Sequence, residues 1–170
     1  MRVLVLLIML TSSIFAFGQA KNVKVDGVIQ DKEYSSTYAV DKDFKFYISY
    51  DDKNAYVGME ANAKGWVSVG FGSPMMDKSI MFIGYFNKDK NKFEVEQTIG
   101  VKHNHVKAEK NEVINSAGKR EGNKTVVEFV IPRKIGNVEL KGEVDVIWAY
   151  AASDSLKAYH SKRGATKVKF

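Results

Sequence analysis

Apolar and polar residues alternate along much of the chain, and no long stretch has the spacing of an amphipathic helix. Phe44, Phe46 and Ile48, for example, occupy every second position and therefore share one face of a strand. Alternation or a short apolar run predicts strands at residues 44–50, 55–59, 66–71, 79–86, 93–99, 125–131, 144–150 and 165–170. The pattern therefore indicates a fold built from strands.

Turn-forming residues separate most of these segments, as in Asp51–Asn54, Asn87–Asn91 and Glu121–Asn123. Pro132 ends the predicted strand at 125–131. Short strands at this spacing predict an all-β fold, an antiparallel β-sandwich of about 8–10 strands. Because the chain has no repeat, low-complexity run or linker, residues 21–170 are expected to form a single domain.

Residues 1–20 have the composition of a secretory signal peptide. Arg2 precedes an apolar run from Val3 to Leu10, and small residues follow, so cleavage is expected after Gly18 or Ala20. The run is shorter than the about 20 residues that a membrane span requires, and an uncleaved anchor is the alternative. No second apolar stretch of this kind occurs, so the mature chain is expected to be secreted or periplasmic without a transmembrane span.

Charge and cysteine content narrow the function classes. The chain has no cysteine, which excludes disulfides, thiolate metal ligands, lipoprotein attachment and covalent attachment of haem through a C-x-x-C-H motif. Its formal net charge is +6, but the lysines are scattered among acidic residues and form no basic run. This distribution is typical of a solvated surface, and we expect no nucleic-acid partner.

Enzymatic activity is not predicted. Ser153, Asp154 and His160 contain the residue types of a catalytic triad, but no nucleophile elbow or oxyanion loop surrounds them. A glycine-rich loop that could bind phosphate is also missing from the sequence. We therefore assign no catalytic residue.

Two adjacent methionines, Met75 and Met76, follow the predicted strand at 66–71 on a turn that begins Gly72-Ser-Pro74. Turns normally favour Gly, Pro, Asn, Asp or Ser, so paired thioethers at this position are unusual. One interpretation is that they fill irregular gaps at one end of the sandwich, because methionine adapts to uneven packing. The other is that one of them binds a ligand.

Four segments in a fixed order carry a family resemblance: Val23–Tyr34, Gly65–Phe71 (GWVSVGF), Ile147–Tyr150 and Tyr159–Gly164. In this order the mature chain resembles the DOMON domain, named for the N-terminal domain of dopamine β-monooxygenase, and most of all the free-standing bacterial members that bind haem. The resemblance implies an immunoglobulin-like β-sandwich that holds either a b-type haem or a sugar. The first segment is also similar to the start of family 9 carbohydrate-binding modules.

The haem-binding branch is similar to the cytochrome domain of cellobiose dehydrogenase, in which one methionine and one histidine hold the iron. Carried over to this sequence, the resemblance implies Met76, with Met75 as the alternative, and His160 as ligands of a non-covalent haem b. An iron with both axial positions filled has no open site for substrate. The implied function is single-electron transfer with a redox partner on a separate chain.

The same resemblance suggests further residues around a ligand. Trp66 and Tyr159 are candidates for the walls of a haem pocket, and Arg163, Lys162 or Lys78 for pairing with the haem propionates. The alternative function is a carbohydrate-binding module that uses Trp66, Trp148, Tyr150 and Tyr159 as an aromatic platform. A structural sandwich that binds neither haem nor sugar is the third hypothesis.

The two other histidines, His103 and His105, form an H-x-H pattern. If both lay on one strand they would face the same way, and their imidazoles could bind zinc or copper. No third ligand is evident nearby, so an exposed strand or loop is the simpler interpretation.

Overall fold

The computed structural model describes residues 23–170, and the predicted signal peptide at residues 1–20 lies outside the described residues. The described residues form two main antiparallel sheets and one short hairpin, which confirms the predicted all-β fold. The five-stranded sheet has the order β1-β2-β3-β9-β8 and comprises β1 (Ser36–Asp41), β2 (Phe44–Tyr50), β3 (Asn54–Ala61), β8 (Asn115–Glu121) and β9 (Lys124–Pro132).

The six-stranded sheet has the order β13-β12-β4-β5-β6-β7. It comprises β4 (Val67–Phe71), β5 (Ile80–Asn87), β6 (Lys92–Val101), β7 (Asn104–Lys107), β12 (Glu143–Tyr150) and β13 (Lys162–Lys169). The two-residue strands β10 (Lys134–Ile135) and β11 (Val138–Glu139) pair with each other. Residues 23–170 contain no helix long and apolar enough to cross a membrane.

The core lies between the two main sheets, where alternate side chains of each sheet point inward. Phe82 of β5 stacks on Phe129 of β9, with ring centroids 5.2 Å apart, and so joins the sheets directly. Near one end, Phe44 of β2 stacks on Trp148 and Tyr150 of β12 at 5.4 and 6.0 Å. Such aromatic pairs stabilise the core beyond the burial of their area.

The eight predicted strands are present in the structure, with ends that differ by up to three residues. The last strand starts at Lys162 rather than Ala165, because Tyr150 of β12 pairs with Lys162. Strands β1, β7 and β8 were not predicted. All three lie at sheet edges, where many side chains are exposed and apolar alternation is weak.

His103 and His105 do not share a strand face, so the structure does not support the zinc or copper alternative and agrees with the simpler interpretation of an exposed strand or loop. His103 lies in the turn between β6 and β7, and only His105 belongs to β7. Within residues 23–170 there is no group of three or more His, Cys, Asp or Glu side chains that could hold a metal ion.

The segment that precedes β1 packs on the side of the five-stranded sheet that faces away from the core. It is anchored by Glu128 of β9, which is fully buried. The Glu128 carboxylate accepts hydrogen bonds from the backbone N–H groups of Gly27 at 2.7 Å and Asp26 at 3.2 Å, and from the Tyr34 hydroxyl at 2.8 Å. Burial raises the pKa of Glu128, and this effect outweighs the three hydrogen bonds.

Candidate functional site

The side chains of the six-stranded sheet that point away from the core form what we call the outer face. Val69 and Phe82 point into the core, so the adjacent residues Gly70 and Met81 lie on the outer face. Its central row consists of residues paired directly across five strands: Ala165, Ile147, Gly70, Met81 and Thr98. A Cβ at Gly70 would meet three neighbouring side chains within 2.9 Å, so this position requires glycine.

Residues 72–79, which we call the methionine loop, connect β4 to β5 and pack on one end of the outer face. The Lys78 N–H donates to the Gly100 carbonyl at 2.9 Å, and the Asp77 carboxylate accepts the Lys102 N–H at 2.7 Å. A Cβ at Gly100 would overlap the Met76 carbonyl oxygen, so glycine is needed here for the loop to approach the sheet. The contacts fix the loop against the turn between β6 and β7.

The two methionines of this loop differ in burial. Met75 is 62% exposed, whereas Met76 is half-buried. Neither lies in the main core, so the gap-filling interpretation does not account for Met75. Met76 is the less exposed of the two, and its backbone carbonyl packs on Gly100 of the outer face.

Residues 151–161, which we call the histidine loop, connect β12 to β13 at the other end of the outer face. The Ala151 N–H donates to the Trp66 carbonyl at 2.9 Å, and the Ser161 N–H donates to the Tyr150 carbonyl at 2.8 Å. Leu156 packs on a buried cluster that includes Trp66 and Ile83. The loop therefore folds back over the outer face from the end opposite to the methionine loop.

His160 stands near the end of this loop and is half-buried. Burial and then the positive charge of Arg163 hold its pKa below the usual range, so its imidazole is neutral at pH 7. The ring of Tyr159 lies 4.4 Å from the His160 ring, but Tyr159 is 83% exposed. Tyr159 is thus an exposed neighbour of His160 rather than a wall of a closed pocket.

The structure does not bring Met76 and His160 into contact, because their loops lie at opposite ends of β4. Val67 at one end of β4 pairs with Tyr150, and Phe71 at the other end pairs with Val146. Five residues of strand span about 13 Å. The two loops therefore begin at ends of β4 that are about 13 Å apart.

Two buried polar atoms have no hydrogen-bond partner within the described part of the chain, Trp66 Nε1 and Thr98 Oγ1. Native proteins leave few such atoms, so each requires an explanation. Thr98 belongs to the central row, and Trp66 to the cluster under the histidine loop. A mostly apolar face with a glycine at its centre and two unpaired polar atoms fits the chemistry of a porphyrin.

The predicted cationic residues differ in their surroundings. Lys162 forms an ion pair with Asp41 and is therefore already engaged. Arg163 of β13 pairs with Ala149 of β12, and both residues lie on the outer face. Within residues 23–170, neither Arg163 nor Lys78 forms an ion pair with an acidic side chain. These two side chains are available to pair with carboxylates of a ligand.

The aromatic residues considered for a sugar platform are mostly internal. Trp66, Trp148 and Tyr150 are no more than 8% exposed, which leaves Tyr159 as the exposed member of the set. Two surface cavities, of about 650 and 480 Å³, lie elsewhere on the molecule, and none of the predicted site residues lines either of them.

Comparisons with known proteins find a matching family model and solved structures of similar fold. The model of the DOMON domain matches residues 30–151, more than half of the chain. The cytochrome domain of Myriococcum thermophilum cellobiose dehydrogenase has a TM-score of 0.57 at 12% identity, and the match covers 78% of this chain and 81% of that one. The cytochrome b domain of pyranose dehydrogenase from Coprinopsis cinerea has a TM-score of 0.55 at 10% identity, with 74% of each chain covered.

A family 9 carbohydrate-binding module from Caldicellulosiruptor kristjanssonii, in complex with glucose, has a TM-score of 0.44 at 13% identity, with 87% of this chain and 83% of that chain covered. A search among curated proteins finds no match. Since the family model covers most of the sandwich and two cytochrome domains share its fold, the chain belongs to the DOMON domain family.

Proposed function

We propose that the outer face binds one haem b non-covalently between Met76 and His160, and that the exported protein transfers single electrons to or from a separate redox protein. The observation that carries this proposal is the placement of the two loops. They approach one sheet face from opposite ends of β4, with Gly70 in the row between them. This placement leaves the central row of the outer face between Met76 and His160.

Bound haem supplies a reversible one-electron iron couple, whose potential is raised by Met/His ligation. Met76 would contribute a thioether and His160 an imidazole, and the lowered pKa of His160, caused by burial and then by Arg163, favours the neutral ring that binds a metal. If Met76 and His160 both hold the iron, they would leave no site on it for a substrate. We therefore propose an electron carrier and not an enzyme.

The surrounding residues provide orientation and exclude water. Met81 and Ile147 flank Gly70 with apolar side chains, which lowers the local dielectric constant around a bound cofactor. Arg163 beside the histidine loop and Lys78 in the methionine loop are the cations proposed to pair with the propionates.

The proposal is tested by titrating the purified protein with haemin and recording absorption spectra before and after dithionite. We expect a six-coordinate low-spin spectrum with a sharp reduced α-band in the wild type. Met76→Ala and His160→Ala should each lose this spectrum, because each removes one axial ligand. Met75→Ala is the matched control and should retain it.

A wild-type protein that takes up no haemin would overturn the proposal. A low-spin spectrum that is lost in Met75→Ala but kept in Met76→Ala would move the ligand to the neighbouring residue. If no haemin binds, titration with gluco-oligosaccharides of the wild type and of Tyr159→Ala tests the carbohydrate-binding alternative, because Tyr159 is its exposed aromatic residue.

A further inference from the structure

We infer that Arg120 and Asp154 form a clamp that positions His160 for the iron. This inference rests on the proposed function and names two positioning residues that do not themselves touch the haem. Arg120 belongs to β8 of the five-stranded sheet, whereas Asp154 belongs to the histidine loop. Their contact therefore ties the loop to the opposite layer of the sandwich.

The ion pair has bidentate geometry. Arg120 Nη1 and Nη2 donate to the two Asp154 carboxylate oxygens, each at 2.8 Å. The same carboxylate accepts the Phe86 N–H of β5 at 3.1 Å. The side chains of Arg120 and Asp154 are only 21% and 13% exposed, so solvent screens this pair less than the surface pairs of the molecule.

Further contacts hold the guanidinium group in place. Arg120 Nε donates to the Thr125 hydroxyl at 2.8 Å, and Nη2 also donates to the Gly65 carbonyl at 3.1 Å. The guanidinium carbon lies 5.4 Å from the centre of the Phe93 ring. Arg120 thus joins Asp154 to the residue that precedes Trp66, at the end of the outer face that the histidine loop covers.

The charge on Asp154 is preserved although the group is partly buried. Burial works to raise its pKa, but the hydrogen bonds from Arg120 and Phe86 outweigh burial, so the pKa lies below the usual value. Ionised Asp154 keeps both bonds to Arg120 across the neutral pH range. The clamp is therefore permanent and not a pH switch.

The clamp reaches His160 through a short, otherwise lightly held segment. Between Asp154 and Ser161 the backbone is held by the turn in which Ala158 N–H donates to the Ser155 carbonyl at 2.8 Å, and by the packing of Leu156. Without the clamp, the loop would keep these contacts, the Trp66 N–H bond to the Ser153 carbonyl at 3.2 Å and the Ser161 bond to Tyr150, but it would lose its tie to the five-stranded sheet. The His160 ring would then sample several orientations, and its bond to iron would weaken.

The test uses the full chain with Asp154→Asn and the milder Arg120→Lys, both loaded with haemin. We expect the ferric spectrum to shift from low spin toward high spin and the dissociation constant for haem to rise about tenfold or more. Added imidazole should restore the low-spin spectrum, because it can occupy the axial position that a misplaced His160 leaves. Gel filtration before the measurement removes released haemin, which imidazole would also convert to a low-spin form.

Glu60→Gln is the matched control. Glu60 has a side chain that is 14% exposed and pairs with Lys45 and Lys124, but it lies on the five-stranded sheet away from the histidine loop. This variant should keep the wild-type spectrum and haem affinity. Urea unfolding shows whether each variant is folded. If Asp154→Asn fails to fold, Arg120→Lys, which retains the positive charge, serves as the second probe of the clamp.

Folded Asp154→Asn and Arg120→Lys proteins with wild-type spectra and haem affinity would overturn the clamp while leaving the proposed function intact. High-spin spectra that imidazole does not restore would also overturn it. A wild-type protein without a low-spin haem spectrum would overturn the proposed function and the clamp together. The spectrum of the wild type therefore distinguishes the two failures.

Discussion

Replacement of Glu128 by alanine is expected to lower the free energy of unfolding by about 3 kcal/mol, since it leaves buried donors without an acceptor. Glu128 is fully buried and accepts hydrogen bonds from the N–H groups of Asp26 and Gly27 and from the Tyr34 hydroxyl. Relief from burying the carboxylate offsets part of this loss. Urea unfolding followed by fluorescence measures the change, and a variant as stable as the wild type would contradict the prediction.

Glu128→Gln is the control that separates charge from hydrogen bonding. Burial raises the pKa of Glu128 in the folded protein above its value in the unfolded chain, so the folded state binds the proton more tightly. The stability of the wild type relative to Glu128→Gln should therefore increase as the pH falls from neutral toward the unfolded pKa of about 4.3. The difference should shrink as the pH rises, and a trend of opposite sign would contradict the assigned pKa direction.

Gly100→Ala is expected to destabilise the fold by about 2 kcal/mol and to weaken haem binding about tenfold. The new Cβ would overlap the Met76 carbonyl oxygen, which is a backbone atom and cannot turn away. The methionine loop must therefore move off the sheet and carry the Met76 thioether with it. Haemin titration and urea unfolding measure the two effects.

Gly122→Ala provides the comparison for that substitution. Gly122 has a φ of 58°, and its Cβ would meet nothing within 4 Å, so alanine strains the turn by about 1 kcal/mol without touching either loop. Its haem affinity should equal that of the wild type. If Gly100→Ala is less stable but binds haem with wild-type affinity, the contact between Gly100 and the Met76 carbonyl does not position Met76 for haem, and this part of the prediction is wrong.

The strands with a buried face were predictable from the sequence because burial imposes alternation on them. In strand β2, for example, the alternate residues Phe44, Phe46 and Ile48 are buried and apolar. Strand β8 was not predictable in this way, since its sequence NSAGKRE is largely polar and the strand is defined by its backbone pairing with β9. Strand β13 begins at Lys162, three residues before the predicted start, because its backbone pairs with β12 as far as Tyr150.

For the candidate site, the sequence indicated Met76 and His160 through motifs but contained no local sign of what holds them. Arg120 and Asp154 are 34 residues apart, and no periodicity relates positions at that distance. In the sequence Asp154 is recognisable only as one residue type of an incomplete triad, whereas in the structure it forms an ion pair with Arg120. Gly100 is likewise explained only by the backbone of a distant loop.

The unequal burial of Met75 and Met76 has a consequence for damage by oxidants. Sulfoxide formation follows exposure of the sulfur, and Met75 is 62% exposed whereas Met76 is half-buried. A peroxide that reaches this loop from solvent therefore meets the Met75 sulfur first. We therefore expect peroxide to oxidise Met75 before Met76, which peptide mass spectrometry of the treated protein measures.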